Sequence, residues 1–159
     1  MTAPNNTEIQ NRFFAALPYV LPLVYVYEFG EFLFNQFPYL QLIYLPLEPI
    51  KALYSTPLVG LVIFFALIFA VVRNENIPHL IRFNTMQAIL LDILLILIRL
   101  AIGILAPGLK LGGGLLIETF FNMIFLGILA TCTYAIVQSA RGIYAELPAI
   151  SEAVHGQVR

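Results

Sequence analysis

Charge is what this sequence has least of. Its 159 residues include eight Lys and Arg and nine Asp and Glu, so 11% are charged while 60% are hydrophobic. A water-soluble domain of this length needs about a quarter of its residues charged to cover its surface. The shortage excludes a soluble globular protein and points to a single integral membrane domain. The charges nearly cancel, leaving a net charge of −1, and no basic run occurs. No nucleic-acid partner is expected.

Reactive side chains are scarce too. Cys132 stands alone, which rules out a disulfide framework or a cysteine zinc site within one chain. Lying in an apolar run, it reads as a buried, inert thiol. The two histidines, His79 and His155, are far apart and lack the spacing of a metal pair. No nucleophile–base pair or pair of catalytic acids stands out, so no enzyme activity, cofactor or metal is expected. Gly112-Gly113-Gly114 is not followed by the Lys-Ser/Thr of a phosphate loop. Residues 1–12 are polar and carry Glu8 beside a single arginine, Arg12. That is not the positive n-region of a cleavable signal, nor a Ser-rich transit peptide. A bacterial or organelle-encoded membrane protein is the expectation.

What the chain does have is long apolar runs. About 20 such residues cross a bilayer as a helix, and four spans are predicted at about 13–35, 55–73, 80–105 and 115–140. The expected fold is all-α: an integral membrane four-helix bundle, with a polar segment over 1–12 and a cytoplasmic or stromal tail over 141–159. Pro18 and Pro22 predict a kink in the first span, tolerated where neighbours satisfy the freed carbonyls. Between the first and second spans, 36–54 is apolar but broken by Pro38, Pro46 and Pro49. Its tyrosines, Tyr39, Tyr44 and Tyr54, suit a membrane interface. An interfacial amphipathic segment is expected there.

The third span organises the rest, because it carries Asp92 and Arg99. A charge at that depth costs roughly 2.5–3.5 kcal/mol on insertion scales. Seven residues apart, the two share a helix face, but they sit ~10 Å apart along the axis. Each therefore needs a partner or water of its own. Glu28, Glu31 and Asn35 follow one another at spacings of three and four, on one face of the first span. Arg12, Arg73, Arg82, Arg141 and Arg159 fall on one side of a four-span chain, Lys51 and Lys110 on the other. The positive-inside rule then puts both termini on the cytoplasmic or stromal side. In that orientation Glu28, Glu31, Arg99, Glu118 and Asn122 lie at similar depth in the outer half. Arg99 is expected to face Glu118 or Asn122. With Asp92 these residues form either a polar clasp that fixes helix register or an acidic, wet vestibule that attracts a basic segment. In the fourth span, Gly127, Thr131, Ala135 and Ser139 recur every four residues, a ladder that lets helices approach closely in lipid. Internal packing and self-association both remain open for it.

Three stretches carry a resemblance: IRFNTMQAILLDI at 81–93, ETFFNMIFLGIL at 118–129 and QSARGIYAELPAISEAVHGQVR at 138–159. With YLQLIYLPLEPI and PLVGLVIFFALIFAVVRN they resemble the twenty-kilodalton subunit family of the translocon at the inner envelope of chloroplasts (TIC), in its cyanobacterial form. The family motif falls on Arg82, Phe83, Asn84, Gln87 and Ala88, with Asp92 beyond. The resemblance implies a four-helix membrane subunit of a protein translocon, forming or lining a path for preproteins. It implies as partners the lipid bilayer, other translocon subunits or further copies of the chain, and a preprotein substrate. It places the protein in a cyanobacterial cell membrane, or alternatively the chloroplast inner envelope, and carries over no catalytic residues. A non-catalytic membrane scaffold and a small-solute or amino-acid carrier stay open as alternatives.

Overall fold

The computed structural model describes residues 5–108 and 114–158. The turn residues 109–113, with Lys110 among them, and Arg159 lie outside the described residues, as do 1–4. Every regular element among the described residues is helical.

The first rod, α1 (Asn6–Gln36), starts where the Asn5 side chain accepts the Glu8 backbone N–H at 2.9 Å, a cap for an otherwise orphaned donor. The expected proline break takes the form of tightened winding. Proline lacks an N–H, and the rod passes through 3₁₀ turns at Leu17–Tyr19, around Pro18, and at Val26–Gly30, beyond Pro22. It continues as one 31-residue helix.

The proline-rich α2 (Pro38–Tyr54) is 3₁₀ over Pro38–Leu47 and α-helical over Glu48–Tyr54. It meets α3 (Leu58–Val72) at a bend of 101°. The last turn and a half of α3, Leu67–Val72, widens to π winding. The Arg82 side chain of the next helix donates to the Val72 carbonyl at 2.8 Å, satisfying an acceptor that a helix end leaves open.

α4 (His79–Gly108) and α5 (Leu115–Ala140) are the two unbroken helices. α5 stops on a Schellman turn: Gly142 N–H donates to Ser139 O and Ile143 N–H to Gln138 O, both at 2.9 Å. Gly142 sits at φ 76°, a left-handed conformation that glycine adopts without a Cβ clash. The tail then turns back and ends in the short α6 (Ile150–Gln157). Ser151 lies inside that helix, and its hydroxyl accepts the Leu147 N–H at 2.6 Å.

Three helices, α1, α4 and α5, are long and apolar enough to cross a membrane, and a fourth span exists if the bent α2–α3 pair counts as one. α1 is the centre of the packing, running along both α4 and α5, while α4 also packs against α3 and α6. Two buried clusters result. The larger holds Tyr19, Val26, Phe29, Phe34, Tyr44, Leu95 and Phe125. The smaller holds Val72, Phe83, Ile89, Val154 and Val158, beneath the folded-back tail. Gly30 brings α1 close to α5: a Cβ there would stand 2.7–2.8 Å from the rings of Phe34 and Phe125.

Candidate functional site: a polar cleft at one end and a buried clasp at the other

The charged residues of α1 and α4 meet at one end of the molecule. Glu28, Glu31 and Asn35 do share a face, because the residues between them turn inward: Phe29, Gly30 and Phe34 are buried. Together with Gln41 of α2, Arg99 of α4 and Phe121 of α5, they line a cleft of about 460 Å³. Arg99 forms an ion pair with Glu28, and both side chains remain more than half exposed. The expected pairing of Arg99 with Glu118 or Asn122 does not occur. α1 lies between α4 and α5, so α1 supplies the partner. Glu118 instead accepts a hydrogen bond from Gln36 Nε2 at 3.1 Å.

Nearby, Lys51 is engaged twice. Its Nζ is 2.9 Å from Glu48 and 3.4 Å from the centroid of the Tyr27 ring. Glu31 has no ion-pair partner among the described residues. The cleft thus joins one paired acid, one free acid, an arginine and two amides above an aromatic floor. Gln41 and Gln36 were missed by the sequence reading. Gln41 was visible as the lone polar residue inside YLQLIYL, but nothing in the sequence said which way it would face.

Asp92 and Arg99 part company in the fold. Asp92 lines a different recess, about 450 Å³, between α1, α3 and α4, whose other walls include Leu21, Tyr25, Tyr54, Leu61 and Leu97. Its Oδ1 is buried and makes no hydrogen bond, as is also true of Asn122 Oδ1. Neither residue belongs to the outer cleft.

The residues singled out as a motif form a clasp at the other end. Asn84 is fully buried and bonds in two directions: its Oδ1 accepts from Tyr19 OH at 3.0 Å, and its Nδ2 donates to Ser139 Oγ at 2.9 Å. One amide so ties α4 to α1 and to α5. Gln87 Nε2 donates to the Ala145 carbonyl at 3.0 Å, holding the tail. Phe83 is buried against the rings of Tyr144 and His155, and His79 Nδ1 lies 2.9 Å from Tyr144 OH. Arg82 closes the α3 terminus as described. Asn84, Gln87 and Phe83 therefore contact elements remote in sequence, Arg82 the end of the preceding helix, and what the clasp can do is hold geometry.

The small-residue ladder of α5 divides. Ala135 and Ser139 are buried in the bundle, whereas a Cβ at Gly127 would meet nothing within 4 Å. Thr131 turns its hydroxyl back to the Gly127 carbonyl at 2.8 Å. Each four-residue step overshoots a full helical turn by about 40°, so the stripe wraps from the core to the outside. Cys132 is buried. Among the described residues, no three His, Cys, Asp or Glu side chains gather as metal ligands.

Known proteins share this framework. A family model described as chloroplast import apparatus Tic20-like matches residues 2–154. A Tic20 family protein of Synechocystis is 48% identical over the whole of this chain and 99% of its own length. The Arabidopsis thaliana protein TIC 20-v, chloroplastic, is 35% identical over 97% of this chain and 74% of its own. The Tic20 family protein Ycf60 of Porphyra purpurea is 34% identical over 99% and 80%. With a family model spanning nearly every residue and relatives in a cyanobacterium, a red alga and a plant that match nearly the whole of it, this chain is a multi-pass membrane protein of the Tic20 family.

Proposed function

We propose that the chain is a membrane subunit of a protein translocon and that its outer cleft receives basic segments of a preprotein. In this reading the bent α2–α3 pair supplies the fourth span, with α2 lying along the membrane surface. Both termini face the cytoplasm or stroma, the tail returns to that side, and the clasp around Asn84 is the fixed base from which the cleft opens outward. The observation that carries the proposal is the cleft itself. Glu28 and Glu31 stand in an open recess of about 460 Å³ at the end of α1 remote from the arginine-rich side, and Glu31 has no cation of its own among the described residues. A low-dielectric wall around such a recess focuses its field toward an arriving cation.

The aromatic floor formed by Phe29, Phe34 and Phe121 makes a path through one copy narrow. A conducting path would form between copies, or between this subunit and others of the translocon. The test is reconstitution into planar bilayers with a basic presequence-like peptide added to one side. Conductance blocked by the peptide from the outer face alone supports the proposal. Stable co-purification with one complex but no conductance would favour a scaffold, and uptake of a labelled amino acid a carrier.

A further inference from the structure

The recess around Asp92 is separate from the outer cleft and has its own chemistry. It runs between α1, α3 and α4, and its walls are apolar apart from Asp92 and the hydroxyls of Tyr25 and Tyr54. Into it projects a carboxylate with a buried oxygen that bonds to nothing among the described residues. A polar atom left unpaired in such surroundings is costly, so the site is complementary to a donor or a cation carried on an apolar body.

Depth identifies that body. Asp92 is the midpoint of His79–Leu105, about 20 Å along the helix from either end. A lipid headgroup rides at the edge of a hydrocarbon core about 30 Å thick, so it stays some 15 Å short of Asp92. Only a helix that itself crosses the bilayer brings a polar side chain to this level at low cost. From the recess, its unpartnered carboxylate oxygen and its depth, we infer that the α1–α3–α4 groove is a lateral docking site for one transmembrane helix of a partner protein carrying a hydrogen-bond donor, such as lysine, near its middle. This inference stands whether or not the outer cleft receives preproteins.

The test uses the full chain in lipid nanodiscs, with a photo-crosslinking residue at Leu97 beside the groove. Three leucine-rich transmembrane peptides are offered: all-leucine, lysine at the centre, and lysine seven residues off centre. The centred-lysine peptide should be captured about tenfold better than the other two, the scale of one interhelical hydrogen bond in lipid. Asp92→Leu should abolish the preference. Leu61→Trp, which fills the groove and leaves Asp92 in place, should reduce capture of all three peptides without lowering the unfolding midpoint. Equal capture of the three peptides, an unchanged preference in Asp92→Leu, or cross-linking to a second copy of this chain in place of the peptide overturns the inference.

Discussion

At the scale of the residue, Asn84 and Gly30 carry more than their size suggests. The Asn84 amide joins three helices through Tyr19 and Ser139. Asn84→Leu strands the buried Tyr19 hydroxyl and removes the donor to Ser139 Oγ, which keeps its own bond to the Ala135 carbonyl, and we expect it to cost about 1–2 kcal/mol, within the range measured between helices in lipid. Unfolding of the purified protein in mixed micelles reads this directly, and an unchanged midpoint would mean the bridge contributes nothing. Gly30 lets α1 and α5 approach, since its missing Cβ would overlap the rings of Phe34 and Phe125. Gly30→Ala should destabilise by about 1–3 kcal/mol through overpacking. Adding Phe125→Leu should return part of that loss; if both variants are equally unstable, steric conflict is not the cause.

The elements show how much the sequence disclosed. The long apolar runs of α1, α4 and α5 were legible from length alone, because lipid leaves the backbone no choice but a helix. The common face of Glu28, Glu31 and Asn35 was legible from helical spacing. The partner of Arg99 was not. Depth placed Glu28 and Glu118 at one level, but only packing decides that α1, rather than α5, lies against α4. The tail was misjudged for a related reason. Its polar composition suggested water, yet Val154 and Val158 are buried against α3 and α4 while Ala145 and Leu147 join the larger cluster of α1, α4 and α5, and no periodicity in so short a segment names its target. Two element-scale outcomes follow. Ending the chain after Gly142 uncovers Phe83 and Ile89 and loses the burial of Val154 and Val158, about 1.5–3 kcal/mol each. The truncated protein should unfold at a clearly lower temperature, whereas a free tail would leave the midpoint unmoved. Glu28→Arg should impair folding by setting like charges face to face. Adding Arg99→Glu should recover the midpoint, as a double-mutant cycle would register; no recovery would mean the pair is incidental.

For the whole molecule, the two ends are built for different tasks. One end is fastened by Asn84, Gln87, Phe83 and the returning tail, with the Asn84 and Gln87 amides bonded to other parts of the chain. The other end keeps Glu31 in an open cleft, without an ion-pair partner among the described residues, and ties Glu28 to an exposed arginine. A fastened base and an open charged mouth are what the proposed translocon role asks for. Glu118 stands apart, held by Gln36, so the acids differ in what they offer an arriving cation. The most direct measurement is the affinity of a basic peptide for the full chain in nanodiscs, compared between Glu31→Gln and Glu118→Gln. The account predicts that Glu31→Gln weakens binding several-fold, that Glu118→Gln has little effect, and that raising the salt concentration erases the difference. Binding that is indifferent to Glu31, or lost equally with either substitution, would contradict it.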